Sequence, residues 1–297
     1  MILITGASGF LGTSIWNFFS TQEVPILSLG KTGLNDINCD LSSETPYINS
    51  SEIELVIHAA GKAHVTPKTK IEVNDFFEVN VKGTENLLRS LDQLPTLPKY
   101  FVFISSVAVY GLDSGTNIRE NAPLLASDPY GSSKIRAEKI VIDWCKQHNV
   151  NSTILRLPLL VGKNPPGNLG AMITAIRKGY YFNIDNGEAK KSMVLAEDVA
   201  RFISMVARLG GTYNLTDGVH PSFSALSNAI AQNRVKNLPL WFAKILGLIG
   251  DIFGENAIIN SNKVRKITSD LTFDDSTARE MGWSSQSVLE YLKVNYL

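Results

Sequence analysis

The sequence predicts an α/β protein, a doubly wound parallel sheet followed by a smaller, mostly helical C-terminal substrate region, and three observations lead there. Short apolar, β-branched runs alternate with longer helical patterns through the first two thirds of the chain, the pattern of right-handed βαβ units covered by helices on both faces. The first such run ends in a glycine-rich turn that opens a helix. After Gly162 the texture changes to Lys-Asn-Pro-Pro-Gly-Asn, too rich in Pro, Gly and Asn to continue a strand, so a loop is placed there.

Taken in order, Ile2 to Thr5, Pro25 to Leu29, Leu55 to His58, Tyr100 to Ser105 and Thr153 to Leu157 read as strands, bounded by turn residues and rich in Val, Ile and aromatic side chains. A further short strand is expected before Asp40. Phe10 to Phe19, Asp75 to Leu91 and Tyr130 to Lys146 read as the intervening helices. Ser192 to Leu209 reads as a strand and helix returning to the sheet, Tyr213 to Leu215 as another strand, and the chain from Ser222 as mostly helical. The domains expected are a dinucleotide-binding region over 1–163, with 192–215 returning to it, and a substrate region stitched from 164–191 and 216–297.

Composition narrows the function classes. The 297 residues carry 28 Lys plus Arg against 28 Asp plus Glu, so no overall field is available to neutralise nucleic-acid phosphates. Cys39 and Cys145 lie far apart, with neither metal-ligand spacing nor a Cys-x-x-Cys pair, and are expected to be reduced thiols; no metal site is expected. Residues 1–5 already read as a core strand, with no signal sequence before them, and the expected compartment is the cytoplasm. The most apolar stretch, Leu238 to Phe253, is interrupted by Lys244 and Asp251 and falls short of the roughly 20 residues a spanning helix needs. An amphipathic helix packed on the domain is the first reading, and a helix resting on the inner face of a membrane the alternative.

The chemistry begins with Thr5-Gly6-Ala7-Ser8-Gly9-Phe10-Leu11-Gly12. Bare backbone at Gly6 and Gly9 lets amides approach a pyrophosphate at the helix N-terminus, and Gly12 lets the helix press on the strand. As a bare pattern this is also that of a plain glycine-rich turn; with its strand before and helix after, it reads as a Rossmann-like dinucleotide site. The second strand ends Leu29-Gly30-Lys31, where an NAD binder usually places an acid for the ribose hydroxyls. Gly30 leaves room for a 2′-phosphate and Lys31 can neutralise it, a lean toward NADP over NAD. Ala59, Ala60 and Gly61 after the fourth strand supply the small residues a dinucleotide needs where it crosses the sheet. Tyr130 and Lys134 stand one helical turn apart, with Cβ atoms roughly 5 to 6 Å apart on one face. A phenol with an ordinary pKa near 10 needs such an ammonium, and the charge of the nicotinamide, to act as a proton acceptor near neutrality. Ser105-Ser106 ends the preceding strand, where a hydroxyl can hydrogen-bond the reacting oxygen.

Together with Asp40-Leu41, His58 to Gly61, Val79-Asn80-Val81-Lys82-Gly83-Thr84, Ser105 to Gly111 and Leu155-Arg156-Leu157-Pro158, these residues resemble the extended short-chain dehydrogenase/reductase family over nearly the whole chain. The resemblance implies that Ser106, Tyr130 and Lys134 are catalytic. It implies cofactor contacts from Gly6, Ser8, Gly9, Phe10, Leu11 and Gly12 at the phosphates and from Lys31, Asp40 and Leu41 at the adenosine end. Ala59, Ala60, Gly61, Asn80, Ser105 and Leu157 complete that set.

Extended members mostly act on nucleotide-linked sugars. Dehydratases place Asp-Glu after the catalytic hydroxyl residue, and Val107-Ala108 stand here instead; a 3,5-epimerase needs a Cys and His pair that Cys145 does not supply. Lys62-Ala63-His64-Val65, Gly167-Asn168-Leu169 and Phe273 to Trp283 are similar to bacterial nucleotide-sugar 4-epimerases and 4-keto reductases of surface-polysaccharide pathways. The implied activity is hydride transfer at C4 of a UDP-linked sugar, with His64, Ser106, Asn168, Lys191 and Arg265 as candidate substrate contacts. A homodimer pairing the helices at 75–91 and 130–146 is implied as well. The chain departs from the pattern near Leu159, where many epimerases carry an Asn, and at Lys191-Ser192 and Leu195, where Arg-Asp and His are usual. The same fold can serve as a non-catalytic NADP sensor, or as a membrane-bound scaffold through 238–253.

Overall fold

The computed structural model describes residues 1–50, 52–63, 65–231, 235–254, 257 and 259–296. Its strands, in chain order, are β1 (Ile2–Thr5), β2 (Ile26–Gly30), β3 (Ile37–Asn38), β4 (Leu55–His58), β5 (Tyr100–Ser106), β6 (Gly115–Ile118), β7 (Asn151–Leu157), β8 (Leu159–Val161), β9 (Phe182–Ile184), β10 (Met193–Leu195), β11 (Gly211–Asn214), β12 (Lys236–Leu238) and β13 (Leu271–Phe273). The helices are α1 (Phe10–Ser20), α2 (Lys70–Phe77), α3 (Gly83–Leu91), α4 (Pro129–His148), α5 (Gly167–Arg177), α6 (Ala196–Val206), α7 (Phe223–Ile230), α8 (Leu240–Asp251), α9 (Ser261–Thr268), α10 (Ser276–Glu280) and α11 (Val288–Tyr296).

Seven strands form one sheet in the order β11-β7-β5-β4-β1-β2-β3, every neighbouring pair parallel. Its central strands are buried on both faces: Ile2, Ile4, Ile57, Val102 and Leu155 pack under α1 and α6, while Leu3, Val56, Phe101, Phe103 and Ile154 pack under α3 and α4. Continuous apolar runs of this kind are what a doubly covered parallel sheet requires. Strand order reverses direction between β1 and β4, which leaves a crevice at their carboxyl ends.

Two expectations are corrected. Asp75 to Leu91 is not one regular helix: α2 begins at Lys70, where Thr69 caps it by accepting from the Glu72 amide, and a π-helical turn, Glu78–Lys82, separates it from α3. The strand expected near Ser192 does form, as β10, but pairs with β8 rather than entering the seven-stranded sheet. The position at that sheet's edge beyond β7 is taken by β11. Two more parallel pairs follow: β9 with β12 joins two of the later segments to each other, and β6 with β13 ties the C-terminal part to the domain. None of the helices among the described residues is long and apolar enough to cross a membrane.

Candidate active site

A cavity of about 1090 Å³ opens at the carboxyl ends of β1, β4 and β5. That exceeds the roughly 300–1,000 Å³ of an ordinary small-molecule pocket and leaves room for a dinucleotide and a second ligand together. Gly6, Gly9, Phe10, Leu11 and Gly12 form one wall. Gly6 has φ +69°, and a Cβ there would stand 2.7 Å from the Ala60 amide nitrogen. A Cβ on Gly12 would stand 1.9 Å from the Gly6 carbonyl oxygen. The turn therefore closes only with bare backbone at both positions. Among the described residues no side chain caps α1, so its first-turn amides are left to the cavity, the arrangement that binds a pyrophosphate.

The floor beside this turn is set by a buried imidazole. His58 is 1% exposed; its Nδ1 lies 2.6 Å from Thr5 Oγ1 and its Nε2 2.9 Å from Thr84 Oγ1. Burial, aided by the Lys134 charge, pushes its pKa down to about 3, so the ring stays neutral. Thr5 Oγ1 also accepts from the Ala60 amide, fixing the segment whose Ala59 and Gly61 line the cavity. Asn80, carried by the π-helical turn, is 2% exposed. It accepts from the Lys62 amide at 2.7 Å and donates to the Lys62 carbonyl and to Ser133 Oγ. It thereby pins residues 61–62 to α4.

Asp128 caps α4 by accepting from the Gly131 amide, and Pro129 opens its first turn; with no amide proton to lose, proline suits that position. Tyr130 and Lys134 follow on the face turned to β5, and both line the cavity with Ser106. Burial raises the pKa of the Tyr130 phenol, the neighbouring Ser106 hydroxyl opposes that rise, and the Asp128 charge adds to it. Ser106 Oγ also accepts from the Ala108 amide at 3.2 Å. Lys134 is buried apart from its approach to the cavity. Its ammonium donates to the Ile104 carbonyl at 2.9 Å and lies 4.7 Å from the centre of the Phe103 ring. Burial draws its pKa down to about 8, against the pull of Glu138. A Cβ on Gly61 would come within 3.2 Å of this ammonium, so Gly61 leaves it open toward the cavity.

Ser105 lines the cavity beside Ser106. Its hydroxyl donates to the Glu138 carboxylate, which is also held by Arg156 through Nε at 3.1 Å and Nη2 at 2.8 Å. Arg156 Nη1 in turn donates to Tyr110 Oη and to the Glu120 carbonyl, and Tyr110 donates to Asn214 Oδ1. This buried network braces the ends of β5, β7 and β11 behind the cavity.

The remaining sequence-predicted residues divide. Leu157, Asn168 and Lys191 line the cavity with the set above. Ser8 is exposed on the turn and not among the lining residues. Leu41 is buried against the core, its carbonyl taken by Asn86. Asp40 accepts from the Ser42 amide and hydroxyl and holds the Lys31 ammonium at 2.9 Å. Arg265 and its neighbour Lys266 both pair with Asp113, at 2.8 and 2.9 Å; Lys266 and Asp113 line the cavity and Arg265 is not among the lining residues. His64 lies outside the described residues. Lys191 donates to the Lys266 and Ser269 carbonyls at 2.9 Å each, closing the end of α9. Sequence reasoning missed Lys266 and Glu138. The burial of Val264 between Lys263 and Arg265 sets which side of α9 faces in, and Glu138 stands one turn beyond Lys134 on the face that carries Tyr130.

The family model described as NAD dependent epimerase/dehydratase family matches residues 2–216. The chain is 26% identical over 306 residues to the N-acetyl-alpha-D-glucosaminyl-diphospho-ditrans,octacis-undecaprenol 4-epimerase of Escherichia coli O157:H7, covering 95% of this chain and 89% of that protein. It is 26% identical over 314 residues to the UDP-glucose 4-epimerase of Vibrio cholerae, covering 97% and 92%. The fold is similar, at a TM-score of 0.74 and 18% identity over 99% of this chain and 97% of the other, to the structure of UDP-glucose 4-epimerase from Thermotoga maritima with UDP-glucose.

Proposed function

The chain belongs to the NAD-dependent epimerase/dehydratase family, as a nicotinamide-dependent enzyme of the extended short-chain dehydrogenase/reductase type, and from that premise we propose that it inverts C4 of a diphosphate-linked sugar. The observation that carries the reading is the convergence of Ser106, Tyr130 and Lys134 on one wall of a cavity whose other wall is an uncapped helix N-terminus. The two relatives described above, which span 95% and 97% of the chain, are 4-epimerases by name, which favours inversion over net reduction. A role in surface-polysaccharide synthesis belongs to the same reading.

The cavity fits the nicotinamide dinucleotide: the α1 amides and bare Gly6 and Gly12 would take its phosphates, and Lys134, with Asn80 behind it, the ribose beside the nicotinamide. When bound, it supplies a centre that accepts and returns a hydride at C4. The chain's own residues handle the proton. Tyr130, whose phenol burial keeps protonated at rest, gives its proton to the C4 oxygen when that carbon is a ketone and takes the proton of the C4 hydroxyl only as the phenolate; Ser106 hydrogen-bonds the same oxygen. Lys134, one turn away and buried, favours the phenolate when the proton leaves. On the diphosphate side the wall carries the cations Lys191 and Lys266, the second paired with Asp113 at 2.9 Å.

The sequence leans to NADP through Gly30 and Lys31. Lys31 is engaged by Asp40 at 2.9 Å, so a 2′-phosphate has to draw it from that pair while a 2′-hydroxyl does not; this favours NAD. Titration with NAD, NADH, NADP and NADPH tests the preference. Tyr130→Phe tests the mechanism: turnover of UDP-glucose or UDP-N-acetylglucosamine is expected to fall about 10²- to 10⁴-fold with cofactor affinity kept. Unchanged turnover refutes the assignment, and cofactor binding without turnover of any diphosphate-linked sugar favours a sensor.

A further inference from the structure

Helix α8 turns its apolar side outward. Its buried residues are Ala243, Gly247 and Gly250, and their small size lets the backbone lie directly on the segment entering α9: a Cβ on Gly250 would stand 1.8 Å from the Ile259 carbonyl oxygen. The large side chains point away. Trp241, Leu248, Ile252 and Phe253 are 64%, 65%, 81% and 69% exposed, and Phe242, Ile245 and Ile249 are exposed beside them. This amounts to several hundred Å² of contiguous apolar surface by order of magnitude, more than scattered surface hydrophobics account for.

The surroundings match a lipid interface. Strand β12 leads into α8 and pairs with β9, where Phe182, and Tyr180 just before it, are exposed too. Lys236 and Lys244 are exposed at the start of the ridge and within it. Asp251, the single carboxylate of α8, is engaged by the Ser261 amide and hydroxyl. Exposed aromatic and aliphatic side chains with one lysine before the helix and one within it suit a helix that lies in the headgroup layer of an anionic membrane; at twelve residues it is too short to span one. The ridge is also joined to the cavity, since α8 rests on α9, and α9 carries Lys266 and Ile267 into the cavity wall.

We propose that α8 docks on the surface of a membrane containing anionic lipid and holds the cavity at the headgroup layer, within reach of a sugar diphosphate carried on a membrane-embedded polyprenyl chain. The choice of substrate rests on the sugar-diphosphate reading above; the docking does not. The test is flotation of the full chain with vesicles of phosphatidylcholine, alone or mixed with phosphatidylglycerol. The wild type is expected to float with the mixed vesicles. Trp241→Gln/Leu248→Gln/Ile252→Gln is expected to lower the bound fraction about tenfold or more, with an unchanged near-ultraviolet circular dichroism spectrum. Lys236→Glu/Lys244→Glu is expected to abolish the preference for the anionic lipid. A wild type that stays in the soluble fraction with both vesicles overturns the docking; if it is then a dimer that the triple variant dissociates, the ridge is covered by a second copy. Turnover of a polyprenyl-diphosphate-linked N-acetylhexosamine in the mixed vesicles is expected to fall with binding in the triple variant, while turnover of UDP-N-acetylglucosamine is unchanged. Vesicle binding without turnover of either sugar overturns the sugar reading and leaves the docking standing.

Discussion

Replacing Arg156 by methionine removes the centre of the buried network behind the cavity. The Arg156 and Glu138 side chains are only 7% and 3% exposed, so water is a poor substitute for either partner. In Arg156→Met the Glu138 carboxylate loses both guanidinium bonds and keeps the Ser105 hydroxyl, while the Glu120 carbonyl loses the donor Nη1. Leaving a buried charge uncompensated in this way costs about 3–5 kcal/mol, a large share of the ~5–15 kcal/mol that holds a typical domain. Urea unfolding followed by circular dichroism measures it for the wild type, Arg156→Met, Glu138→Leu and the double variant. The double variant is expected to recover at least about 1 kcal/mol of the summed single losses, because no orphaned charge remains. An Arg156→Met protein within about 1 kcal/mol of the wild type, or strict additivity in the cycle, refutes the account of the pair.

His58 makes the fold acid-sensitive. An unfolded histidine binds its proton near pH 6.5, but folded His58 does so only at about 3; its contribution is complete above 6.5 and is lost as pH falls through that window, about 3 kcal/mol by pH 4. His58→Asn is expected to show a correspondingly shallower fall in urea-unfolding free energy between pH 7 and pH 4, and parallel curves would sink the idea. Gly12→Ala places a methyl 1.9 Å from the Gly6 carbonyl oxygen, so the turn must shift. Its affinity for NADH, read by fluorescence titration, is expected to weaken about tenfold or more with a lower melting temperature; wild-type affinity would mean that the turn is not the phosphate cradle.

The central sheet was legible because its strands are continuous apolar runs, and β1 and β4 fall where the pattern places them, residue for residue. Tyr130, Lys134 and Ser106 were legible because helical spacing and the end of β5 fix their relative positions locally. What stayed hidden depends on long-range packing. Leu41 and Arg265 match a motif or a charge, but their orientation is set by the core around α3 and by the burial of Val264. The Asp40 grip on Lys31 joins residues on separate loops. The apolar stretch at 238–253 read most simply as a packed helix; the glycines and alanine that make its contact face carry no apolar signal, so the packed face and the apolar face are opposite ones.

The π-helical turn at Glu78–Lys82 has a consequence for how this chain tolerates change. A turn with one extra residue breaks the helical phase, so α2 and α3 keep their buried faces on separate counts, Phe76 on one and Leu87, Leu88 and Leu91 on the other. Such turns are rare and concentrate at functional positions, and here the extra residue carries Asn80 against residue 62 and α4. Deleting a single residue such as Val81 would restore an unbroken ladder and give a helix more regular than the native one. It would also rotate one buried face by about a third of a turn relative to the other. The segment thus holds a local irregularity in which helix quality and ligand geometry are opposed, and a variant selected for thermal stability alone would tend to erase it.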